Sequence, residues 1–205
     1  MQKPAVTDYP IHPLLEQRWS PRAFADTPIP HDTLMSLFEA ARWSASTFNE
    51  QPWRFIVATK DQPEAYEKIF KCLNEGNQRW AGNAPVLMLT LAVTTFAVDG
   101  SPIRTALYDV GLAVQNLIVQ ATSHELVVRQ MAGILIDRIR EVYALPEHVV
   151  PVTGLAVGYR GDPDILIERL RTRELEPRTR KPLADLLIGT EWGTVSPLVT
   201  PAKDT

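Results

Sequence analysis

The chain has 205 residues, 45% of them hydrophobic and 22% charged, with a formal net charge of −3 at pH 7. That composition suits one soluble globular domain with a proper core, and the slight acidity argues against general affinity for nucleic acid or acidic membranes. Cys72 is the only cysteine, which excludes an internal disulfide and a cysteine-based metal cluster and fits a reducing compartment.

The first residues, MQKPAVTDYPIHP, lack the apolar run of a signal peptide. The most apolar stretch, Pro85 to Ala97, is too short to span a bilayer. The expected location is therefore the cytoplasm. His12 to Trp19 reads as a short helix stopped by Pro21. Asp32 to Ser44 reads as an amphipathic helix, with Leu34, Leu37, Phe38 and Ala41 at i, i+3, i+4 and i+7. Trp53 to Thr59 alternates like a strand. Pro63 opens another helix at a position where its missing N–H costs nothing, with Tyr66, Ile69, Phe70 and Leu73 as the buried stripe.

Val86 to Val93 is an apolar run read as a buried strand. Thr105 to Thr122 is apolar on most sides, including Leu107 and Leu112, and reads as a central buried helix. Leu126 to Met131 is a short strand, Ile134 to Tyr143 a helix and Val149 to Tyr159 a strand. Ile165 to Arg171 reads as a short helix and Leu183 to Ile188 as a further one, while the chain after Gly189 has no clear pattern. Helices interleave with too few strands for a barrel, so the expected fold is α+β, helices covering a sheet. Residues 1–11 read as an N-terminal extension, 12–188 as the domain and 189–205 as a tail.

Four segments hold residues suited to ligand chemistry. In Arg18–Trp19–Ser20–Pro21–Arg22, two guanidinium forks and a hydroxyl flank a stiff turn, which suits a phosphate. A solvated turn with ordinary ion pairs has the same composition. Arg178, Arg180 and Lys181 form a second cationic cluster; with Arg169, Arg171 and Arg173 it would close on an anion or bind RNA, although Glu168, Glu174 and Glu176 dilute the charge. The loop Ser44 to Trp53 packs hydroxyls, Asn49 and Gln51 together, as the polar edge of a heterocycle requires; a helix end followed by a turn reads equally well. Gln130–Met131–Ala132–Gly133 lies between a strand and a helix. Gly133 there admits close backbone approach, and N–H groups at a helix start would face a ligand; a plain glycine turn is as good locally. There is no dinucleotide glycine fingerprint, P-loop or nucleophile elbow. The four histidines lack metal-ligand spacing.

These segments, in this order, resemble the FMN-binding nitroreductase family. The resemblance rests on Arg18, Ser20 and Arg22; on the Ser46 to Trp53 loop ending in Asn-x-Gln-Pro-Trp; and on Asn77 before Ala84–Pro85. It rests also on Tyr108, Asp109 and Gly111 in the long helix, on Gly133, on Gly158–Tyr159, and on Arg178 and Arg180. It covers residues 12 to 188. It implies an α+β nitroreductase-like fold with a central mixed or antiparallel sheet and an intertwined homodimer.

The resemblance further implies FMN, with its phosphate and ribityl chain held by Arg18, Trp19, Ser20, Arg178 and Arg180. Arg22 and Asn77 would lie against the pyrimidine, and Gln130, Met131, Ala132 and Gly133 against the N5 edge. Ala45, Ser46, Thr47 and Asn49 would come from the partner subunit. Phe48 and Phe96 would line the substrate pocket. NADH or NADPH would reduce the flavin and leave, and a nitroaromatic, quinone or related small acceptor would then enter, with Arg22 tuning the flavin charge and no side chain as nucleophile or base. A non-catalytic FMN carrier, or a specialised family activity such as dehalogenation, azoline oxidation or flavin cleavage, stands as the alternative. Four positions depart from the family pattern. Trp80 stands where some members have lysine, so the flavin is expected to lose a cation. Phe48 replaces a small residue, and Arg129 and Ala132 replace His and acidic residues.

Overall fold

Strands here are apolar or β-branched runs stopped by proline or glycine, and the structure keeps their ends. The computed structural model describes residues 3–199. It contains β1 (Trp53–Thr59), β2 (Val86–Val93), β3 (Leu126–Met131) and β4 (Val149–Tyr159), each with its expected limits. They form one sheet in the order β1-β2-β4-β3, antiparallel at every pairing. β2 is buried along almost its whole length. Val86, Met88 and Ala92 join the core on one face, and Leu87, Leu89 and Leu91 the core on the other, so an unbroken apolar run is what this strand needs. Thr90 is the polar exception. Its hydroxyl accepts the Thr153 N–H at 3.1 Å and lies 2.9 Å from the Thr153 hydroxyl, where the register with β4 slips by a bulge.

Among the described residues seven helices accompany the sheet: α1 (Pro13–Gln17), α2 (His31–Arg42), α3 (Pro63–Phe70), α4 (Glu75–Ala81), α5 (Ala106–Ser123), α6 (Ile136–Val142) and α7 (Glu168–Leu175). α2 and α5 cover one face, contributing Leu34, Leu37, Val110, Val114 and Leu117. α3, α4 and α6 cover the other with Tyr66, Ile69, Trp80 and Ile139. None of these helices is long and apolar enough to cross a membrane.

Several expectations need correction. α1 is shorter than His12–Trp19 because His12 caps it, its ring accepting the Leu14 N–H at 3.2 Å. α4 was not expected at all. It is mostly polar and is anchored by Trp80 and Ala81 alone. α6 starts at Ile136 rather than Ile134, because Ile134 bridges Leu73 and the Leu135 N–H donates to the Cys72 carbonyl at 2.8 Å. The expected Ile165–Arg171 helix is a 3-10 turn at Pro163–Ile165 followed by α7. Leu183 to Ile188 holds only the 3-10 turn Leu183–Asp185. Beyond it, Ile188 bridges Val195; residues 200–205 of the expected tail lie outside the described residues. α5 is buried on one side only: Leu107 and Tyr108 are 54% and 68% exposed.

The segment after Pro21 is pinned to the end of β4. Phe24 bridges Arg160, the Gly161 N–H donates to the Ala23 carbonyl and the Ala25 N–H to the Tyr159 carbonyl, both at 2.9 Å. A Cβ on Gly161 would lie 2.5 Å from the Phe24 carbonyl group, and backbone cannot yield as a side chain does. Gly161→Ala is expected to lower stability by about 1–3 kcal/mol, read as a lower urea midpoint at unchanged m-value. An unchanged midpoint would mean the two backbones have room to part.

Candidate functional site

The arginine segment leaves α1 and meets the far end of the chain at a buried carboxylate. Glu174 of α7 is 2% exposed. Its Oε1 accepts the Arg22 N–H at 2.6 Å and the Ala23 N–H at 3.2 Å, and its Oε2 lies 3.5 Å from the Arg22 guanidinium. Lys3 ties the same region from the N-terminus: its ammonium donates to the Glu174 carbonyl and, at 2.6 Å, to the Glu176 carbonyl. Arg178 answers by donating to the carbonyls of Lys3 at 2.6 Å and Glu16 at 2.8 Å.

This lacing brings Arg18, Arg178 and Arg180 together from opposite ends of the chain. Arg18 donates to the Ser20 hydroxyl at 3.2 Å. Burial, and then the charges of Arg178 and Arg180, push its guanidinium below the ordinary arginine range. Among the described residues none of the three is in a salt bridge. Such a group favours an anion of more than one charge. Trp19 lies beside it, with the Lys3 ammonium 5.0 Å from its ring centroid.

Next to it is a cavity of about 370 Å³. Arg22, Asn77 and the whole Gln130 to Gly133 stretch line it, as do Trp80 and Arg129. Asn77 donates to the Gly133 carbonyl at 3.0 Å, and the Asn74 N–H donates to the same carbonyl at 2.9 Å. Gly133 is required here for a reason other than the expected one. A Cβ would sit 2.2 Å from the Asn74 amide nitrogen and 2.8 Å from that of Asn77, so the close approach is to side-chain amides. Nor does Gly133 open a helix, since α6 begins three residues later.

Trp80, where a cation was expected to be missing, has one beside it on another element. The Arg129 guanidinium lies 5.4 Å from the Trp80 ring centroid, a cation–π distance, and Trp80 in turn stacks on Phe24 at 6.2 Å. Arg129 also donates to the Ser20 carbonyl, while its buried Nε has no partner. Burial and the Arg22 charge push Arg129 down to about 10, with Glu174 opposing; it remains a cation at neutral pH. Among the described residues, Glu174 Oε2 is the other buried side-chain polar atom without a hydrogen bond. The sequence did carry a signal for Glu174: it falls one turn after Leu170 on the inward face of α7, where a carboxylate needs partners.

The serine loop is elsewhere. Ala45, Ser46, Thr47, Phe48 and Asn49 do not line the cavity of their own chain. The loop is a 3-10 turn at Thr47–Asn49 with Phe48, Asn49 and Gln51 at φ of 50°, 61° and 50°. Buried Asp109 of α5 fixes it, accepting the Thr47 N–H at 3.0 Å, and the Thr47 and Thr105 hydroxyls lie 2.5 Å apart. The Ser46 hydroxyl accepts the Gln51 N–H at 3.0 Å. Phe48 is 85% exposed and meets the half-buried Phe96 edge-on at 5.9 Å. Phe96 belongs to a tight turn, with Thr95 bridging Pro102 and the Phe96 N–H donating to the Ser101 carbonyl at 2.8 Å.

Residues 15–159 match the model of the Nitroreductase family. A Mycolicibacterium smegmatis protein of 15.4 kDa, itself uncharacterised, is 30% identical over 68% of this chain and 97% of its own length. A Methanothermobacter thermautotrophicus protein with the provisional name NADH dehydrogenase/NAD(P)H nitroreductase is 29% identical over 71% of this chain and 74% of its own. Among solved structures, an oxidoreductase containing FMN is 38% identical, with a TM-score of 0.87 over 92% of this chain and 96% of that one. A nitroreductase family protein from Clostridium difficile 630 shares the fold at 24% identity and a TM-score of 0.67, over 87% and 96% of the two chains. The chain belongs to the Nitroreductase family. Glu174, Arg178 and Arg180 lie beyond the span of the family match.

Glu174→Ala would strand Arg22 and Arg129 without their buried counter-charge, at a cost of about 3–5 kcal/mol. Glu174→Gln keeps an acceptor for the two N–H groups and is expected to lose less. Urea unfolding of both variants checks the order; equal midpoints in all three proteins would show the carboxylate to be dispensable.

Proposed function

We propose that the protein is an FMN-dependent oxidoreductase that takes electrons from NADH or NADPH and delivers them to small acceptors such as nitroaromatics or quinones, acting as a homodimer. The observation that carries this reading is the meeting of Arg18, Arg178 and Arg180, three guanidiniums without a carboxylate, beside a cavity lined by amides and further cations. The orphaned Arg129 Nε adds a buried donor that a polar ring edge would satisfy. The 38% identical relative contains FMN.

FMN, when bound, supplies the redox chemistry, accepting hydride from the nicotinamide and passing electrons to the acceptor. Arg18, Ser20, Arg178 and Arg180 would hold its phosphate and ribityl chain, beside Trp19. Arg22 and Asn77 would face the pyrimidine, and Gln130, Met131, Ala132 and Gly133 the opposite ring edge. Arg22 is held by Glu174 at a fixed angle. A cation fixed in a dry site needs no reorganisation when the ring gains negative charge. Arg129 adds a second such cation.

The serine loop supports the dimer. It is rigid, carries exposed Phe48, and does not reach its own cavity. Exposed Trp43, at the end of α2, and Leu107 and Tyr108, on α5, are apolar side chains that a second copy would cover. Ala45, Ser46, Thr47 and Asn49 of that copy would then complete the flavin site, with Phe48 and Phe96 bordering the acceptor.

The purified protein is expected to be yellow, to bleach anaerobically with NAD(P)H and to recolour with a quinone or nitroarene. In Arg18→Ala/Arg180→Ala, FMN affinity is expected to fall about 100-fold or more, as for two lost charge-assisted contacts, measured by fluorescence titration of the apoprotein. A colourless chain that takes up no added FMN would overturn the reading. Sedimentation equilibrium is expected to give twice the chain mass; a monomer at micromolar concentration would remove the shared site.

A further inference from the structure

Five arginines line the cavity, Arg22, Arg79, Arg129, Arg169 and Arg173, and no carboxylate does. They fall into two groups. Arg22 and Arg129 are covered and answered by Glu174. Arg79, near the end of α4, and Arg169 and Arg173, on α7, are exposed at the mouth. Among the described residues no ion pair or hydrogen bond involves these three side chains. Arg171 on the same helix behaves differently: it turns to Asp164 at 2.6 Å. Arg169 and Arg173 are spaced i, i+4, a like-charge pair that weakens a short helix, in a chain whose net charge is −3.

Charge counting then separates two ligands. On the reading proposed above, on which this inference rests, the single FMN phosphate is met by Arg18, Arg178 and Arg180. The three rim arginines are left over, and an uncharged acceptor has no use for them. We infer that Arg79, Arg169 and Arg173 form a subsite for the phosphate groups of the nicotinamide dinucleotide, at the mouth of the cavity its nicotinamide enters. Guanidinium forks suit both the bridging pyrophosphate and the ribose phosphate of NADPH.

The experiment uses the FMN-loaded protein. Second-order rate constants for anaerobic bleaching are measured with NADPH, NADH and the phosphate-free donor 1-benzyl-1,4-dihydronicotinamide. In Arg169→Ala/Arg173→Ala the preference for NADPH over the phosphate-free donor is expected to fall about 100-fold, as two charge-assisted contacts imply. Arg79→Ala, on a different helix, is expected to lower it about 10-fold. Arg169→Lys/Arg173→Lys should recover part of the preference. An equal fall for NADH assigns the subsite to the pyrophosphate, and a fall for NADPH alone assigns it to the ribose phosphate; either supports the inference. A preference unchanged in both alanine variants at full FMN content overturns it. If the parent protein binds no FMN, or its FMN is bleached by none of the three donors, the underlying oxidoreductase reading fails instead.

Discussion

The contact on which the site depends is the buried carboxylate of Glu174 against the backbone of Arg22 and Ala23. Desolvating a carboxylate costs several kcal/mol unless donors surround it, and here two N–H groups and a guanidinium do so. The partners are 152 positions apart, yet closing so long a loop adds little more entropy than closing a shorter one. Once formed, the contact sets the azimuth of Arg22. With the Lys3 bonds to the carbonyls around Glu174 and the Arg178 bonds to Lys3 and Glu16, it also sets the distance between the two terminal arginine groups. The sheet supplies a floor; this lacing decides where the cations stand on it.

The result is a separation of charge within one small, slightly acidic protein. Some exposed acids elsewhere are paired locally, as Glu39 is with Arg42 and Glu67 with Lys71. Among the described residues no carboxylate lines the cavity, and buried Glu174 sits behind Arg22. Positive potential is therefore focused in a cleft with protein walls, where it acts more strongly than on open surface. Arg129 shows how such a potential is sustained. Its charge rests on the face of Trp80, so that an aromatic ring and a distant carboxylate together stabilise a cation that burial disfavours.

All four strands were legible because their signal is local: alternation or an apolar run, closed by Pro85, Gly161 or a polar turn. The helices were legible where an apolar stripe repeats, as in α2 and α5, and not where a single tryptophan anchors polar residues, as in α4. The site was legible as a set of residue types. Its wiring was not. Arg129 meets the Trp80 ring only once the chain has folded, and Gly133 leaves no room for a Cβ because the amides of Asn74 and Asn77 lie against it. Glu174 looked like one of three acids diluting a basic stretch. Its neighbours Glu168 and Glu176 face solvent, and only the turn of α7 distinguishes it from them.

The serine loop carries the remaining step. Phe48 and Gln51 hold left-handed backbone angles without being glycine, at about 1–2 kcal/mol each. Asp109, itself buried, spends its hydrogen bonds on keeping Thr47 in that geometry. A loop that merely joined α2 to β1 would relax, since sequence changes that remove the strain are easily found. The strain instead presents the Phe48 ring outward, away from the chain's own cavity. In the proposed homodimer, the hydrogen-bonded loop of one copy would complete the cationic cavity of the other. A two-fold axis would join the two without any new structural element, because the same contact is made twice.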